Sequence, residues 1–139
     1  MNDVGVAFDD KGKYEEAELM HRQTLARREK VLGAEHPSTL TSMANLASTY
    51  RNQGRWKEAE ELEVQVMETS LRVLGAKHPS TLTSMANLAF TWKRQGRDEE
   101  AIRLIGECVQ LRTRILGAGH PFTLSSLTTL NGWKLENVT

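Results

Sequence analysis

The stretch VLGAEHPSTLTSMANLA, residues 31–47, decides how this sequence folds. It returns at residues 73–89 as VLGAKHPSTLTSMANLA, where Lys77 stands in the place of Glu35, and more divergently at residues 115–131 as ILGAGHPFTLSSLTTLN. Successive copies are 42 residues apart. Because a fixed period of this length is typical of proteins built from stacked repeats, we expect one repetitive architecture and not two unlike halves.

Each copy predicts a pair of helices. The spacing i, i+3, i+4 and i+7, which places side chains on one helical face, is occupied by Leu40, Met43, Ala44 and Ala47. Pro37 suits the first position of such a helix, and Gly54 is expected to end it. A second apolar stripe follows over residues 56–74, before Gly75 at the expected left-handed helix end. The repeating unit is therefore predicted to be a helical hairpin.

Applied to the whole chain, the pattern predicts an all-α fold of about seven helices. Their expected ranges are 1–11, 14–32, 37–53, 56–74, 79–95, 98–116 and 121–135. Small residues occur where two helices would approach to within about 8 Å, namely at Ala47, Ala59, Ala89 and Ala101. Trp56 and Trp92 lie on the packing stripe and are expected in the core, whereas the role of Trp133 stays open.

Charge and composition exclude several classes of function. The 139 residues carry 18 Lys plus Arg against 18 Asp plus Glu, so no net field draws the protein to nucleic acid or to an anionic membrane. No segment has the pattern of a signal peptide, and no apolar run approaches the roughly 18 residues of a membrane span. One cysteine cannot form an internal disulfide. We therefore expect a soluble, cytoplasmic protein with a single domain.

No group of residues predicts catalysis, a metal or a cofactor. His36, His78 and His120 each precede a helix-starting proline and are expected to cap helices, because equivalent residues of successive hairpins lie too far apart to share one ion. Cys108 is expected to be a small buried thiol. No glycine pattern forms a phosphate cradle. The acidic cluster of the fourth predicted helix is expected to be solvated: Glu58, Glu60, Glu61 and Glu63.

The order of residues within one copy resembles the tetratricopeptide repeat (TPR). The resemblance rests on Leu46, Ala47, Tyr50, Gly54 and Ala59. The 42-residue period and the linking Leu-Gly-x-x-His-Pro are similar to the kinesin light chain variety. The near-verbatim duplication, with EAELMHRQTLARREKVLG and HPFTLSSLTTLNGWKLEN, is similar to the C-terminal arrays of fungal NOD-like receptor proteins. The resemblance implies a right-handed superhelical solenoid with repeats at about 1–33, 34–75 and 76–117 and a capping helix at 118–139.

The resemblance also implies that the first helix of each hairpin lines a concave peptide-binding groove. Helical spacing then places polar, charged and aromatic side chains in the lining, and we expect the groove to use Asn45, Ser48, Arg51, Asn52, Asn87, Phe90, Lys93 and Arg94. Each asparagine amide can both donate to and accept from a peptide backbone. The cations favour an acidic partner, and Phe90 offers an apolar anchor. The alternative is that these residues form only a solvated helix surface.

The predicted function is a non-enzymatic scaffold that binds a peptide or protein segment, as the sensor or adaptor portion of a larger receptor-like protein. One alternative is a structural solenoid fragment that self-associates through an exposed N-terminal helix, and another is a cargo adaptor like kinesin light chain. The two ends of the chain favour different readings. Residues 1–11 begin in mid-repeat with apolar side chains, whereas Asn131, Lys134 and Glu136 predict a polar cap at a true terminus.

Overall fold

Six α-helices form the part of the chain that the structure, a computed structural model, describes, which is residues 10–138. They are α1 (Asp10–Leu32), α2 (Pro37–Asn52), α3 (Trp56–Val73), α4 (Pro79–Arg94), α5 (Asp98–Leu116) and α6 (Pro121–Val138). No strand occurs within these residues. The all-α prediction is confirmed, and the bounds of α2 to α5 agree with those expected to within one residue at either end.

The start of α1 differs from the prediction. The helices predicted at 1–11 and 14–32 leave a break at Gly12, but α1 begins at Asp10 and Gly12 lies inside it. A glycine inside a helix costs only about 1 kcal/mol relative to alanine, so the helix can continue through this position. Nearly all of the first predicted helix, at 1–11, lies outside the described residues.

Three helices begin with the same histidine cap. The ring Nδ1 accepts a hydrogen bond from the backbone N–H two residues later, at 3.0 Å for His36, 3.0 Å for His78 and 3.1 Å for His120. Each bond satisfies one of the N–H groups that have no partner within a helix, and the proline that follows lacks such a group altogether. The predicted capping role of these histidines is confirmed.

Glycine forms the turn inside each complete hairpin. Gly54 has φ of 78° and Gly96 has φ of 84°, in the left-handed region that side chains disfavour. The next residue closes the turn, because Arg55 donates its N–H to the Tyr50 carbonyl at 2.8 Å and Arg97 makes the equivalent bond at 2.9 Å. The two turns therefore share one geometry, as the repeat predicts.

The chain divides into two compact units, one ending at Val66 and the other beginning at Met67. In the first unit α1 packs against α2. Its core consists of two clusters of buried side chains, Leu40, Met43 and Val66 in one and Leu46, Tyr50 and Ala59 in the other. Leu25 of α1 and Leu62 of α3 pack against both clusters, so α2 is enclosed by apolar side chains from the helices on either side of it in sequence.

In the second unit α5 packs against both α4 and α6. Several of its side chains have 0 or 1 % exposure: Leu88, Ala89, Ala101, Ile105 and Cys108. The Cys108 Sγ lies 3.5 Å from the carbonyl oxygen of Leu82, and burial raises the pKa of this thiol. The prediction that Cys108 is a small buried thiol is confirmed.

At two places in the chain, an arginine joins one helix to the next by hydrogen bonds. Arg28 of α1 donates to the Ser38 carbonyl and to the Ser42 hydroxyl of α2, both at 2.9 Å. Arg112 of α5 bonds the corresponding groups of α6. At the equivalent position of α3, 42 residues from each arginine, the chain has the fully buried Ser70. The divergence between repeats therefore reaches the side chains that join consecutive hairpins.

Within residues 10–138, no helix combines the length and the apolar composition that crossing a membrane requires.

The turn geometry predicts opposite effects of one substitution at two glycines. Gly96→Ala places a side chain at positive φ and should lower the free energy of unfolding by about 1–2 kcal/mol. Gly106→Ala, inside α5 and also without a neighbouring atom within 4 Å, should raise it by about 0.5–1 kcal/mol. Urea denaturation of both variants provides the test, and equal effects at the two positions would contradict the assigned turn.

Candidate functional site

The residues predicted to bind a peptide lie on the solvent-facing sides of α2 and α4. On α2, Asn45 and Asn52 are exposed and Ser48 is half-buried. On α4, Asn87 is half-buried and Arg94 is exposed. The helical spacing therefore separated the outward side of each helix correctly from its buried side. Whether a ligand uses these side chains stays a prediction.

Arg51 makes an ion pair inside its own unit. Its Nε lies 3.5 Å from Oε2 of Glu63, whose side chain is only 5 % exposed. Glu63 was expected on the solvated side of α3, and this expectation is wrong because the residue faces α2 and compensates the arginine. A buried carboxylate is stable only with such a partner. Much of the Arg51 charge is thus engaged within the fold.

Asn52 borders a surface cavity between the N-terminal part of α1 and the C-terminal end of α2. Arg55 is the central residue there, because its guanidinium bonds Glu18 at 2.7 Å and Glu58 at 2.8 Å and lies 4.4 Å from the centre of the Tyr50 ring. The hydrogen bond from Arg55 lowers the pKa of the Glu58 carboxyl. The charged groups of this part of the first unit therefore pair with one another.

Phe90 has a neighbour that sequence analysis did not foresee. Its ring and that of Trp133 in α6 pack edge to face, with centroids 5.3 Å apart and planes at 86°. Trp133 is 9 % exposed and so belongs to the core, whereas Phe90 keeps 42 % of its surface exposed. Edge-to-face packing of this kind holds an aromatic ring in one orientation. Phe90 is therefore a fixed apolar side chain on an otherwise polar helix face.

Lys93 contacts two carboxylates. Its Nζ lies 2.8 Å from Glu136 and 3.6 Å from Asp98. The hydrogen bond to Glu136, followed by the charge of Asp98, raises the pKa of Lys93. The lysine was expected to provide positive charge for an acidic ligand, but its local field is largely compensated. The exposed Arg94 adds a second cation on the same helix.

The arginines after the turn glycines make contacts within the fold that the sequence analysis did not predict. Arg97 repeats the arrangement of Arg55, since it lies 4.9 Å from the centre of the Trp92 ring and bonds Glu100 at 2.9 Å. The signal was available, because Gly-Arg recurs at the 42-residue spacing. Trp92 and Trp56 were expected in the core, but both are only half-buried.

The exposed surface of α6 includes three leucines. Leu124 is 47 %, Leu127 37 % and Leu135 69 % exposed. Asn131, Lys134 and Glu136, which were expected to form a polar cap, are exposed, and the exposed Leu135 lies between two of them. Whether this helix caps the repeats stays a prediction.

In the range 10–138 no three His, Cys, Asp or Glu side chains come together in a way that could hold an ion.

Helical hairpins that recur every 42 residues, with a histidine cap at the first helix and a glycine turn before the second, define a helical-repeat protein. The chain belongs to the tetratricopeptide repeat family. One family model described as tetratricopeptide repeat matches residues 1–70, and a second with the same description matches residues 81–122.

Solved structures agree with this assignment. A kinesin light chain candidate from Podosopora anserina with nearly identical TPR-like repeats is 32 % identical, with a TM-score of 0.84 over 97 % of this chain. A single-residue variant of that protein gives 32 % identity and a TM-score of 0.83, also over 97 % of this chain. The chain spans 64 % of the length of both solved chains. BtubC (BKLC) from P. vanneervenii is 22 % identical and shares the fold, with a TM-score of 0.81. The match covers 93 % of this chain and 51 % of the BtubC chain.

The predicted all-α solenoid of helix-turn-helix repeats is thereby confirmed. A repeat fold of this family is a scaffold for protein–protein interaction, and neither matching model describes a catalytic family. Curated proteins gave no significant match.

The Arg51–Glu63 pair predicts a structural effect of a residue that was assigned to binding. Arg51→Ala leaves Glu63 buried without its partner and should destabilise the chain, whereas Arg51→Ala together with Glu63→Gln should recover part of the loss. We expect a coupling free energy of about 0.5–3 kcal/mol in a double-mutant cycle measured by urea denaturation. Additive effects of the two substitutions would show that the pair contributes nothing.

Proposed function

We propose that this chain binds extended protein segments through the outward face of α2 in the first unit and that of α4 in the second, as the recognition part of a larger protein. Each segment is net acidic and carries at least one apolar side chain. The observation that carries the proposal is Phe90, a fixed and partly exposed aromatic ring that lies among polar and cationic side chains on α4.

The asparagines supply contacts to the ligand's backbone, which do not depend on the ligand's sequence. Asn45 is exposed and Asn87 is half-buried, and the two stand 42 residues apart at equivalent positions of α2 and α4. A side-chain amide donates and accepts at once, which matches the N–H and C=O groups of an extended backbone. Ser48 and Asn52 extend the polar surface of α2. Each amide contact should contribute about 0.5–1.5 kcal/mol.

Arg94 and Lys93 favour an acidic ligand. At Lys93 a carboxylate of the ligand takes the place of Glu136. An acidic side chain that approaches Lys93 competes with Glu136, the partner at 2.8 Å, whose side chain is 65 % exposed and can turn away into water. Arg51 is less available because Glu63 is buried beside it. The structure thus supports a smaller acidic preference than a row of uncompensated cations would produce, and micromolar affinity is the expected scale.

Two kinds of parent protein fit this proposal. The likeness to the Podosopora anserina kinesin light chain candidate favours a cargo-adaptor role, and it rests on 32 % identity over 97 % of the chain. The near-verbatim repetition of residues 31–47 at 73–89 favours the sensor array of a fungal NOD-like receptor. In both readings the repeats recognise protein and the signal or movement is produced elsewhere. The cytoplasmic location stays a prediction.

The proposal is tested by selecting a random peptide library on this chain and on a variant that combines Asn87→Ala, Phe90→Ala and Arg94→Glu. All three side chains are at least partly exposed, so the variant should fold. The unchanged chain should select acidic peptides with an apolar residue, and salt should weaken their binding because the attraction acts through water. If both proteins select the same peptides with equal affinity, the assignment of the face is wrong.

A matched variant tests the role of Lys93 separately. Glu136→Gln removes the competing carboxylate and should tighten binding of the selected acidic peptides by a few fold, about the effect of one exposed ion pair. Ser125→Gln, an exposed substitution on the same helix, is the control. Unchanged affinity in Glu136→Gln would mean that the ligand does not reach Lys93.

A further inference from the structure

We propose that a small cavity at the junction of α4, α5 and α6 binds one aliphatic side chain of a partner protein, together with an aspartate or glutamate beside it in the partner's sequence. The cavity lies wholly within the second unit, and its lining contains none of the candidate residues of α4. It is therefore a site additional to the peptide-binding faces proposed above, and it does not depend on them.

The cavity has the size of one aliphatic side chain. Its volume is about 90 Å³, which is the space that roughly three water molecules occupy in the liquid. It lies between the N-terminal part of α4, the C-terminal part of α5 and the start of α6, and its apolar lining residues are Pro79, Leu82, Ile115, Leu116 and Phe122. A leucine or isoleucine side chain fits this space, whereas an indole ring does not.

The ionisable side chains around the cavity are basic. Lys77, Arg112 and His120 contribute to the lining, and among the lining residues that the structure describes none is a carboxylate. Lys77 is exposed and, unlike Lys93, has no ion-pair partner within residues 10–138. Because complementary charge favours an acidic partner at such a site, the side chain that enters the cavity is expected to have a carboxylate next to it.

Arg112 is held in place by the start of α6. Its Nη1 donates to the Phe122 carbonyl oxygen at 3.3 Å and to the Ser126 hydroxyl, and its guanidinium carbon lies 5.7 Å from the centre of the Phe122 ring. A guanidinium has five N–H donors, and both hydrogen bonds within the described residues start from Nη1. The donors on Nε and Nη2 are therefore available to a carboxylate of the partner.

His120 and Phe122 form a second fixed part of the lining. The His120 Nδ1 accepts the Phe122 N–H at 3.1 Å, and the two rings lie 5.1 Å apart with planes at 56°. Because Nδ1 is the acceptor, Nε2 carries the proton of the neutral ring and can donate to an anion. Phe122 keeps 59 % of its surface exposed, so it offers an apolar contact beside these donors.

Two of these residues interrupt the repeat. Lys77 stands where the otherwise identical copy at residues 31–47 has Glu35, and Phe122 stands where the preceding copy has Ser80. The helices of the earlier copies begin with the same histidine cap although glutamate and serine occupy these places. The fold therefore does not require lysine and phenylalanine here, and their presence at one cavity indicates a contact specific to this junction.

NMR titration of the isotope-labelled chain with capped tripeptides tests the proposal. N-acetyl-Asp-Leu-Glu-amide should shift the backbone amide signals of Lys77, Leu116 and Phe122 and saturate in the millimolar range, as expected for one apolar side chain and exposed ion pairs. The Asn-Leu-Gln peptide lacks the charges, and the Asp-Gly-Glu peptide lacks the aliphatic side chain. Each of these two should bind more weakly by about fivefold or more.

The earlier repeats supply the variants. Lys77→Glu and Phe122→Ser each introduce the residue that the chain already has at the equivalent position, so both should fold. Each should weaken binding of the Asp-Leu-Glu peptide by about fivefold or more. The controls Lys134→Glu and Leu135→Ser make the same kinds of change at exposed residues toward the other end of α6, and they should leave the binding unchanged.

Three results would overturn the proposal. One is the absence of a saturable shift at Lys77, Leu116 and Phe122. Another is equal binding of the Asp-Gly-Glu peptide or of inorganic phosphate, because the site would then hold an anion without recognising the side chain. The third is a set of shifts confined to Asn87 and Phe90. Because those two signals report on the outward face of α4, failure of this cavity is seen separately from failure of the proposed function.

Discussion

The close approach of the two helices within each hairpin is the constraint on which the rest of the structure depends. Alanine occupies the seam in both complete hairpins, and Ala59 and Ala101 are fully buried. A larger side chain there would separate the helices and open the core behind them. The turn at Gly54 and the histidine cap of α2 bring the chain into this contact. Because each hairpin needs the same small residue between its two helices, the sequence can repeat at this position.

Much of this arrangement could be predicted because it is encoded in periodic local signals. Apolar spacing located the helices, proline and histidine located their starts, and glycine located the turns. The predicted helix break at Gly12 is wrong. Gly12 occupies the same place in the repeat as Gly54, and only the surrounding packing decides whether such a glycine ends a helix. A local pattern does not contain that information.

The exposure of the candidate residues was predictable from the sequence, but their contacts were not. Helical spacing correctly placed Asn45, Asn87 and Phe90 away from the core. It could not show that Lys93 meets Glu136 or that Phe90 meets Trp133, because each pair joins residues 43 positions apart whose contact depends on how α4 and α6 pack around α5. Because Arg51 pairs with Glu63 and Lys93 with Glu136, the positive charge of the candidate residues is partly compensated.

The seam is tested most directly by enlarging one of its alanines and measuring the free energy of unfolding in urea. Ala101→Leu places a larger side chain at a position with no exposed surface and should cost about 1–3 kcal/mol, whereas Ala26→Leu on the exposed side of α1 should change stability by less than about 0.5 kcal/mol. A chain that accepts leucine at residue 101 as readily as at residue 26 would contradict the central role of the close helix approach.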